Sequence, residues 1–526
     1  MRLRLARCVA LSCIRPALTG RAILLAVGPM VLGGRAVLVA QDASPYVPLE
    51  HWATPYVEHL ITSGVIADPM PLTRPLKRAD LVRALRAADT ARVDPATRRT
   101  LRLLLGALAD RRPAPSYRIE GAVGVASATH AFRDPLELDR GVPPRPAVRR
   151  AFASAGLDLH VAFGSVVLVS HPVVDTRLEL DPDWYGKGDN ATAFPEAYAS
   201  AQWRQGELFF GTLARNWGPS GVQGVLVSDN PYSLDHLYVT FGTPRVRLQL
   251  LATQLDTRPD STGAPVVNRY LSVSRAWIRL PRRWTLAVWQ AGVWSGVGRQ
   301  LEPWFLNPAT WVYIRASNSN TNVNSFLGVD LERRGATTAF AQFMLDDIQV
   351  SRKIAADRKP TSYAFTVGAK GRVRRTAVGW QLFYTQVANL TYRNEDDFQV
   401  PLYHLLGTGR NFADYDQATL KLSALARPGL LLEPELTVLR QGEGDPRLPH
   451  PLVPAYPSTA TLFEGVVERT VRLAVGSHWQ RGALELSGTG GVHLIHNARQ
   501  VTGASDTRWL GSIGVTYRLS YENTLP

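Results

Sequence analysis

Tight turns and long loops alternate with fixed parity along most of this chain, and that alternation constrains its fold more than any other feature. Strand-like segments run from Tyr117 to Tyr521, and after the turn Phe163–Ser165 every second connection is short: Arg204–Glu207, Gly242–Arg245, Pro281–Arg283, Arg333–Ala336, Lys370–Arg374, Arg427–Gly429 and Trp479–Ala483. The connections between them are long, centred near Tyr185, Gly221, Gly263, Trp311, Ala355, Tyr403, Pro449 and Gly503. Short turns at one end and long loops at the other predict an all-β fold: an antiparallel up-and-down barrel of about 18 strands crossing the bacterial outer membrane. A soluble sandwich with Greek-key crossings has no reason to keep that parity.

The strands themselves read with period 2. Ile513, Val515, Tyr517, Leu519 and Tyr521 alternate with Ser512, Gly514, Thr516, Arg518 and Ser520, and Val471, Leu473 and Val475 alternate with Thr470, Arg472 and Ala474. Such alternation marks a sheet with one apolar face. It does not say whether that face meets lipid or a soluble core. Loop parity, strand number and an export signal together point to lipid outside and a polar lumen. Trp203, Trp277, Trp284, Trp380, Tyr384, Trp479 and Trp509 sit near strand ends, where interfacial girdles are expected.

Residues 1–40 read as that export signal. Arg2, Arg4, Arg7, Arg15 and Arg21 form a basic start without an acid, Ile23–Leu32 a short apolar core, and Ala40 a small-residue stop before Gln41. The apolar run is too short to span as a helix, and no later stretch approaches the roughly twenty apolar residues a spanning helix needs. Cys8 and Cys13 both fall inside this segment, so the exported chain carries no disulfide and no thiolate metal site. The formal charge of +15 falls to +9 once the six arginines before Gln41 are removed. The remaining arginines are dispersed along strands and turns, not clustered with interleaved aromatics, which argues against a nucleic-acid partner. An acidic polysaccharide or the anionic surface of outer-membrane lipid suits them better.

Between residues 41 and 115 the period changes to 3.6. Trp52, Tyr56, Leu60 and Ile61 make one stripe ended by Gly64; Thr73 is placed to cap a second helix bearing Leu81, Val82 and Leu85; Asp94-Pro95 opens a third with Leu101, Leu104, Leu105 and Leu108 on one face. A small periplasmic helical bundle followed by a barrel over 116–526 is the expected organisation. The stretch Val47–Leu85, with His51-Trp52-Ala53, the Gly64-Val65-Ile66 break and Thr73-Arg74, resembles a single S-layer homology unit. That resemblance implies binding to a cell-wall polymer such as peptidoglycan; a plug or spacer under the barrel is the other reading of the same helices.

Two further blocks stand out, Gly211–Gly242 and Leu306–Glu332, the second followed by Ala339–Val350. The Trp217-Gly218-Pro219 centre, the run Ser228–His236, Asn307-Pro308 with downstream Arg315, and the echoes Leu327–Asp330 and Leu345–Asp347 resemble the Wzi-type capsule-assembly family of outer-membrane barrels. The resemblance implies an occluded eighteen-stranded barrel, a periplasmic helical bundle and lectin-like rather than catalytic activity, with polysaccharide-export machinery as a further partner. Sugars offer an apolar C–H face to aromatic rings and hydroxyls to amides and carboxylates. Trp217, Asp229, Asn230, Tyr232 and Asp235 supply both in the first block, with Gly218, Pro219 and Gly221 bending the loop inward. Trp304, Trp311, Tyr313 and Arg315 form an equivalent set for an acidic sugar in the second. Each of these residues has a plain alternative role in locking a loop.

Nothing in the chain reads as an enzyme. His-Glu-x-x-His and Gly-x-Ser-x-Gly motifs are missing from the sequence after residue 40. Asp346 and Asp347 point to opposite faces of a strand, as do His493 and His496 at their spacing, so neither pair makes a shared-proton or metal site. No cofactor is expected. The competing functional class is a wall-anchored porin or solute channel; an outer-membrane hydrolase lacks a nucleophile and base.

Overall fold

The computed structural model describes residues 43–91, 93–110, 115–129, 151–181, 184, 186, 191–259, 266–347, 359–374 and 376–525. The export-signal reading and the Asp346-flanking loop 348–358 lie partly or wholly outside them. Eighteen antiparallel strands close on themselves. In chain order they are β1 (Ser116–Ala128), β2 (Ala151–Phe163), β3 (Val166–Asp175), β4 (Thr192–Trp203), β5 (Gly206–Thr212) and β6 (Asp235–Gly242). Next come β7 (Val246–Gln254), β8 (Val266–Leu280), β9 (Trp284–Val297), β10 (Asn324–Arg333), β11 (Thr337–Asp347) and β12 (Ser362–Arg372). The last six are β13 (Gly379–Val387), β14 (Tyr415–Arg427), β15 (Leu430–Gln441), β16 (Glu468–Arg481), β17 (Leu484–His496) and β18 (Ser505–Thr524). Each pairs with its neighbour in sequence, and β18 pairs with β1 from Ser512↔Ala128 to Thr524↔Ser116. Closure leaves no sheet edge, so the wall pairs its backbone groups strand to strand rather than with water.

The faces are inverted relative to a soluble protein. Val123, Phe210, Val288, Leu382, Ile513 and Leu519 point outward and are exposed, while Glu207, Arg269, Arg275, Asp330 and Thr366 point inward and are buried. An apolar exterior and a polar interior are what a barrel in lipid requires. Of the aromatics expected in the girdles, Trp509 stands outward at 75% exposure. Trp277 departs from the expectation: it faces the lumen, 1% exposed, and its Nε1 donates to Pro71 O at 2.9 Å. Strand-end position alone does not distinguish the two faces of a two-residue period.

The N-terminal region forms three helices, α1 (Thr54–Thr62), α2 (Arg78–Arg86) and α3 (Pro95–Leu108). Gly64 ends α1 at φ +72°, a left-handed position that a side chain would strain. Asp94 caps α3 through Ala96 N (2.9 Å) and Thr97 N (3.0 Å), as its sequence predicts. Thr73 does not cap α2, which starts at Arg78 after an extended Lys77. Thr73 Oγ1 instead accepts from Arg275 Nη1 at 2.9 Å. A helix cap was the local choice; a buried guanidinium in the barrel wall competed for the same hydroxyl and won.

These helices sit across the tight-turn end. Their apolar faces share one core with Leu425 of β14 and Leu431 of β15. Tyr56 donates to Gly429 O at 2.8 Å, and His59 Nδ1 meets Ser423 Oγ at 2.8 Å. Burial holds the His59 imidazole neutral, its pKa pushed down to about 4 despite the pull of the Glu433 and Asp94 carboxylates. A free histidine titrates near 6.5, so the undocked state takes up the proton first, and docking weakens as pH falls from about 6.5 towards 4. At pH 5 the loss is about 2 kcal/mol. Limited proteolysis of the N-terminal region is expected to quicken between pH 7 and pH 5, and His59→Gln to flatten that dependence; equal rates at both pH values would refute it.

Candidate functional site at the long-loop mouth

Two segments meet inside the barrel. From the tight-turn end, residues 69–74 enter along the inner wall, where Arg279 Nη2 donates to Pro69 O (2.6 Å) and Arg275 Nη2 to Leu72 O (2.9 Å). From the other end, residues 213–234 between β5 and β6 fold inward. Arg74 N donates to Asn216 O (2.9 Å), Asn216 N returns a bond to Arg74 O (3.1 Å), and Gly218 N reaches Leu72 O (3.2 Å). Gly224 sits where a Cβ would fall 2.3 Å from Val227 O, so only glycine permits this fold of the loop.

The wall holds the loop through side-chain amides and a lysine. Gln342 Nε2 donates to Trp217 O (2.9 Å) while its Oε1 accepts from Val225 N (2.9 Å). Gln381 Nε2 donates to Ser220 O (2.9 Å), and Lys370 Nζ to Ser220 Oγ. A second inward loop, residues 388–414 between β13 and β14, packs on the first: Ser228 Oγ donates to Gly409 O (2.6 Å) and Thr408 Oγ1 to Leu226 O (3.0 Å). The sequence places a long connection here, near Tyr403, but its inward fold was not foreseen. Its signal was the polar run Thr408, Arg410, Asn411, Asp414, all buried and too dense in hydrogen-bonding groups for an exposed connection.

Filling is uneven around the wall. Inward residues on β5–β12 are buried to 0–3% at Glu207, Arg269, Arg275, Asp330 and Lys370. On the opposite arc, small inward residues Ala126, Ser154, Ser487, Thr489, Ser512 and Gly514 are only half-buried. Nearer the tight turns this arc carries Arg518 bound to Glu485 and Glu120, 25% exposed.

The first candidate set divides by position. Trp217 is 4% exposed, edge-on to Tyr238 (6.4 Å) and under the Arg275 guanidinium (5.3 Å). Asn230 is fully buried and donates to Gly407 O at 2.8 Å. Both are packed within the plug. Asp229 and Tyr232 are half-buried and Asp235 exposed, at the mouth where the loop rejoins β6. Tyr232 donates to an Asp181 carboxylate oxygen and lies edge-on to Trp184, ring centres 4.9 Å apart; Thr212 Oγ1 donates to Asp235. The second set, Trp304, Trp311 and Arg315, belongs to the connection between β9 and β10. Arg315 lies 4.9 Å over Trp304, and Trp311 is 69% exposed. The structure therefore keeps the two sets apart. Asp346 is turned away from Asp347, accepting from Tyr392 N at 2.6 Å while Asp347 pairs with Lys359 at 2.5 Å.

No family model matches this chain, and no curated protein sequence does. Among solved structures it is similar to Wzi, a carbohydrate-binding outer-membrane β-barrel involved in group 1 capsule assembly in Escherichia coli, at 12% identity and a TM-score of 0.60, over 92% of this chain and 100% of that one. The OpdK outer-membrane protein of Pseudomonas aeruginosa matches at 13% identity and a TM-score of 0.44, over 77% of this chain and 99% of that one. The DcaP channel of Acinetobacter baumannii matches at 10% identity and a TM-score of 0.38, over 78% and 99%. The closed eighteen-stranded wall, its inverted faces and the near-complete overlap with Wzi make this chain a β-barrel of the bacterial outer-membrane type, sharing its fold with that capsule-assembly protein.

Proposed function

We propose that the chain is an outer-membrane lectin-like barrel that binds capsular or extracellular polysaccharide at its long-loop mouth and holds polymer at the cell surface. The observation that carries this reading is the meeting of residues 69–74 with residues 213–234 in the lumen. A lumen occupied from both ends works against bulk diffusion and leaves the long-loop face as the working surface. At that face Tyr232 and Trp184 supply aromatic edges, and Asp229 and Asp235 supply acceptors for sugar hydroxyls. The carbohydrate-binding activity of the Wzi barrel is consistent with it. The helical region, residues 43–110, serves on this reading as a periplasmic plug; Thr73 and Arg74, from the stretch that resembles an S-layer unit, are spent on barrel and intradomain bonds.

Tyr232→Ala removes one of the mouth's two rings while leaving the wall intact. Loss of a stacking aromatic costs roughly 1–3 kcal/mol by analogy with base stacking, which is about a five- to hundred-fold loss of polymer affinity. Retention of polysaccharide on cells and binding of purified polymer should both fall at unchanged barrel abundance. Normal binding by this variant would remove the mouth from the site. The half-buried arc through β17, β18, β1 and β2 favours a second reading, a narrow solute channel beside the plug; a steady single-channel current from the intact chain in a planar bilayer would select it.

A further inference from the structure

The connection between β9 and β10 does not stand above the mouth; it folds back over the outside of the wall. Tyr270 on β8 and Trp294 on β9 point outward, on the same face of β9 as Val288, which is exposed. Both are nevertheless buried, because Phe305 stacks on Trp294 with ring centres 3.6 Å apart and Val312 completes the cluster. The outward amide of Gln290 accepts from Val312 N at 2.9 Å and donates to Thr310 O. Gln290 pairs across the sheet with Leu327, itself outward and exposed, so this segment descends to the level of the lipid-facing side chains. Gly292 makes the close approach possible, since a Cβ there would lie 3.1 Å from Val312.

A short helix, α4 (Val312–Ser319), starts at this point with Val312 and Ala316 turned to the wall. Trp311, Tyr313 and Ile314 remain 69%, 62% and 51% exposed, and no described residue covers them. Their apolar surface is continuous with the exterior band of the barrel. Arg315, laid over Trp304, has no carboxylate partner among the described residues. Aromatic and aliphatic side chains beside an arginine, on a helix lying along a membrane-facing wall, match the chemistry of the lipid interface.

We propose that this segment is an in-plane anchor in the lipid leaflet at the long-loop end, with acyl chains against Trp311, Tyr313 and Ile314 and a lipid phosphate on Arg315. This goes beyond the polymer reading and is independent of it. It assigns Trp304, Trp311 and Arg315 to lipid rather than to sugar, leaving the mouth around Tyr232 as the glycan surface.

Only Cys8 and Cys13 are present in the chain, so after their replacement by Ser a single introduced thiol carries a polarity-sensitive dye. Tyr313→Cys and Ile314→Cys are compared with Ile513→Cys, outward on β18, and with Leu405→Cys, exposed on the loop before β14. The full-length barrels are reconstituted in phosphatidylcholine–phosphatidylglycerol vesicles containing brominated acyl chains, and heat-modifiable migration confirms folding. The expected result is a blue-shifted emission at 313 and 314, quenched by bromolipid and shielded from aqueous iodide as at Ile513→Cys. Iodide quenching matching that at Leu405→Cys, or iodide quenching relieved by added polysaccharide, would overturn the proposal. The blue shift at 313 should also grow with phosphatidylglycerol content and lose that dependence in Arg315→Gln; indifference to phosphatidylglycerol in the parent would remove the phosphate from the assignment.

Discussion

Removing residues 43–110 is expected to turn an electrically quiet barrel into a wide, steady pore. The eighteen-stranded wall is complete from Ser116 to Thr524, with β1 closed on β18 and no strand borrowed from the helical region. A barrel of 16–18 strands leaves an aqueous channel unless something fills it. Here the filling is anchored from the tight-turn end: Tyr46 donates to Glu207 at 2.6 Å, Lys77 pairs with the same carboxylate at 2.9 Å, and residues 69–74 carry the bonds that receive the inward loop. Without them residues 213–234 lose their lower support. Planar-bilayer recording of the truncated chain, with heat-modifiable migration as the check that it has folded, gives the answer. A truncated barrel that folds and stays silent would mean that the two inward loops close the lumen unaided. Failure to fold would make the helices part of the wall's assembly.

The wall was legible in the sequence because lipid imposes two rules that leave marks at short range, a two-residue alternation and a strict short–long order of connections. Eighteen strands and the order of their turns follow from those marks, and the helical start from its own 3.6-residue period; the turn read at Lys370–Arg374 lies instead between Arg372 and Gly379. The helix caps divided instructively. Asp94 sits next to its own helix and caps it, whereas Thr73 was claimed by Arg275, two hundred residues away in sequence. The same asymmetry governs the candidate site. The glycines of the first block announced a loop that bends inward, but which of Trp217 and Tyr232 ends up buried depends on Gln342, Tyr238 and Arg275, strand residues whose approach no local pattern records. The Trp304–Arg315 segment is ambiguous in sequence for a related reason. Aromatics beside an arginine look alike whether the partner is a sugar or a lipid interface, and the packing of Phe305 on the outward face of Trp294, which bears on the choice, leaves no local mark.

Asp330→Ala is expected to be the most damaging single change in the wall, costing about 3–5 kcal/mol. Asp330 is wholly buried on β10 and serves three donors: Arg275 Nη2 at 2.7 Å, Trp289 Nε1 at 3.0 Å and Gln342 Nε2 at 2.8 Å. Its removal leaves the Arg275 guanidinium, also 0% exposed, without a counter-charge, and a buried charge stripped of its partner costs far more than the pair contributes. The loss spreads beyond β10. Arg275 is the residue that holds Leu72 and Thr73 of the plug, and Gln342 is the one that holds Trp217 and Val225 of the inward loop, so a single carboxylate orients both halves of the occlusion. Asp330→Asn keeps the shape and an acceptor oxygen but not the charge, and should fall between the two. Urea unfolding of the refolded barrel measures the stability, and conductance before unfolding measures the plug. A variant within about 1 kcal/mol of the parent, the size of an ordinary surface change, would show that water reaches Arg275 and that the closure rests elsewhere. A stability loss accompanied by a rise in current is the expected pairing, because the same donors that lose their acceptor are the ones that keep the two loops in place.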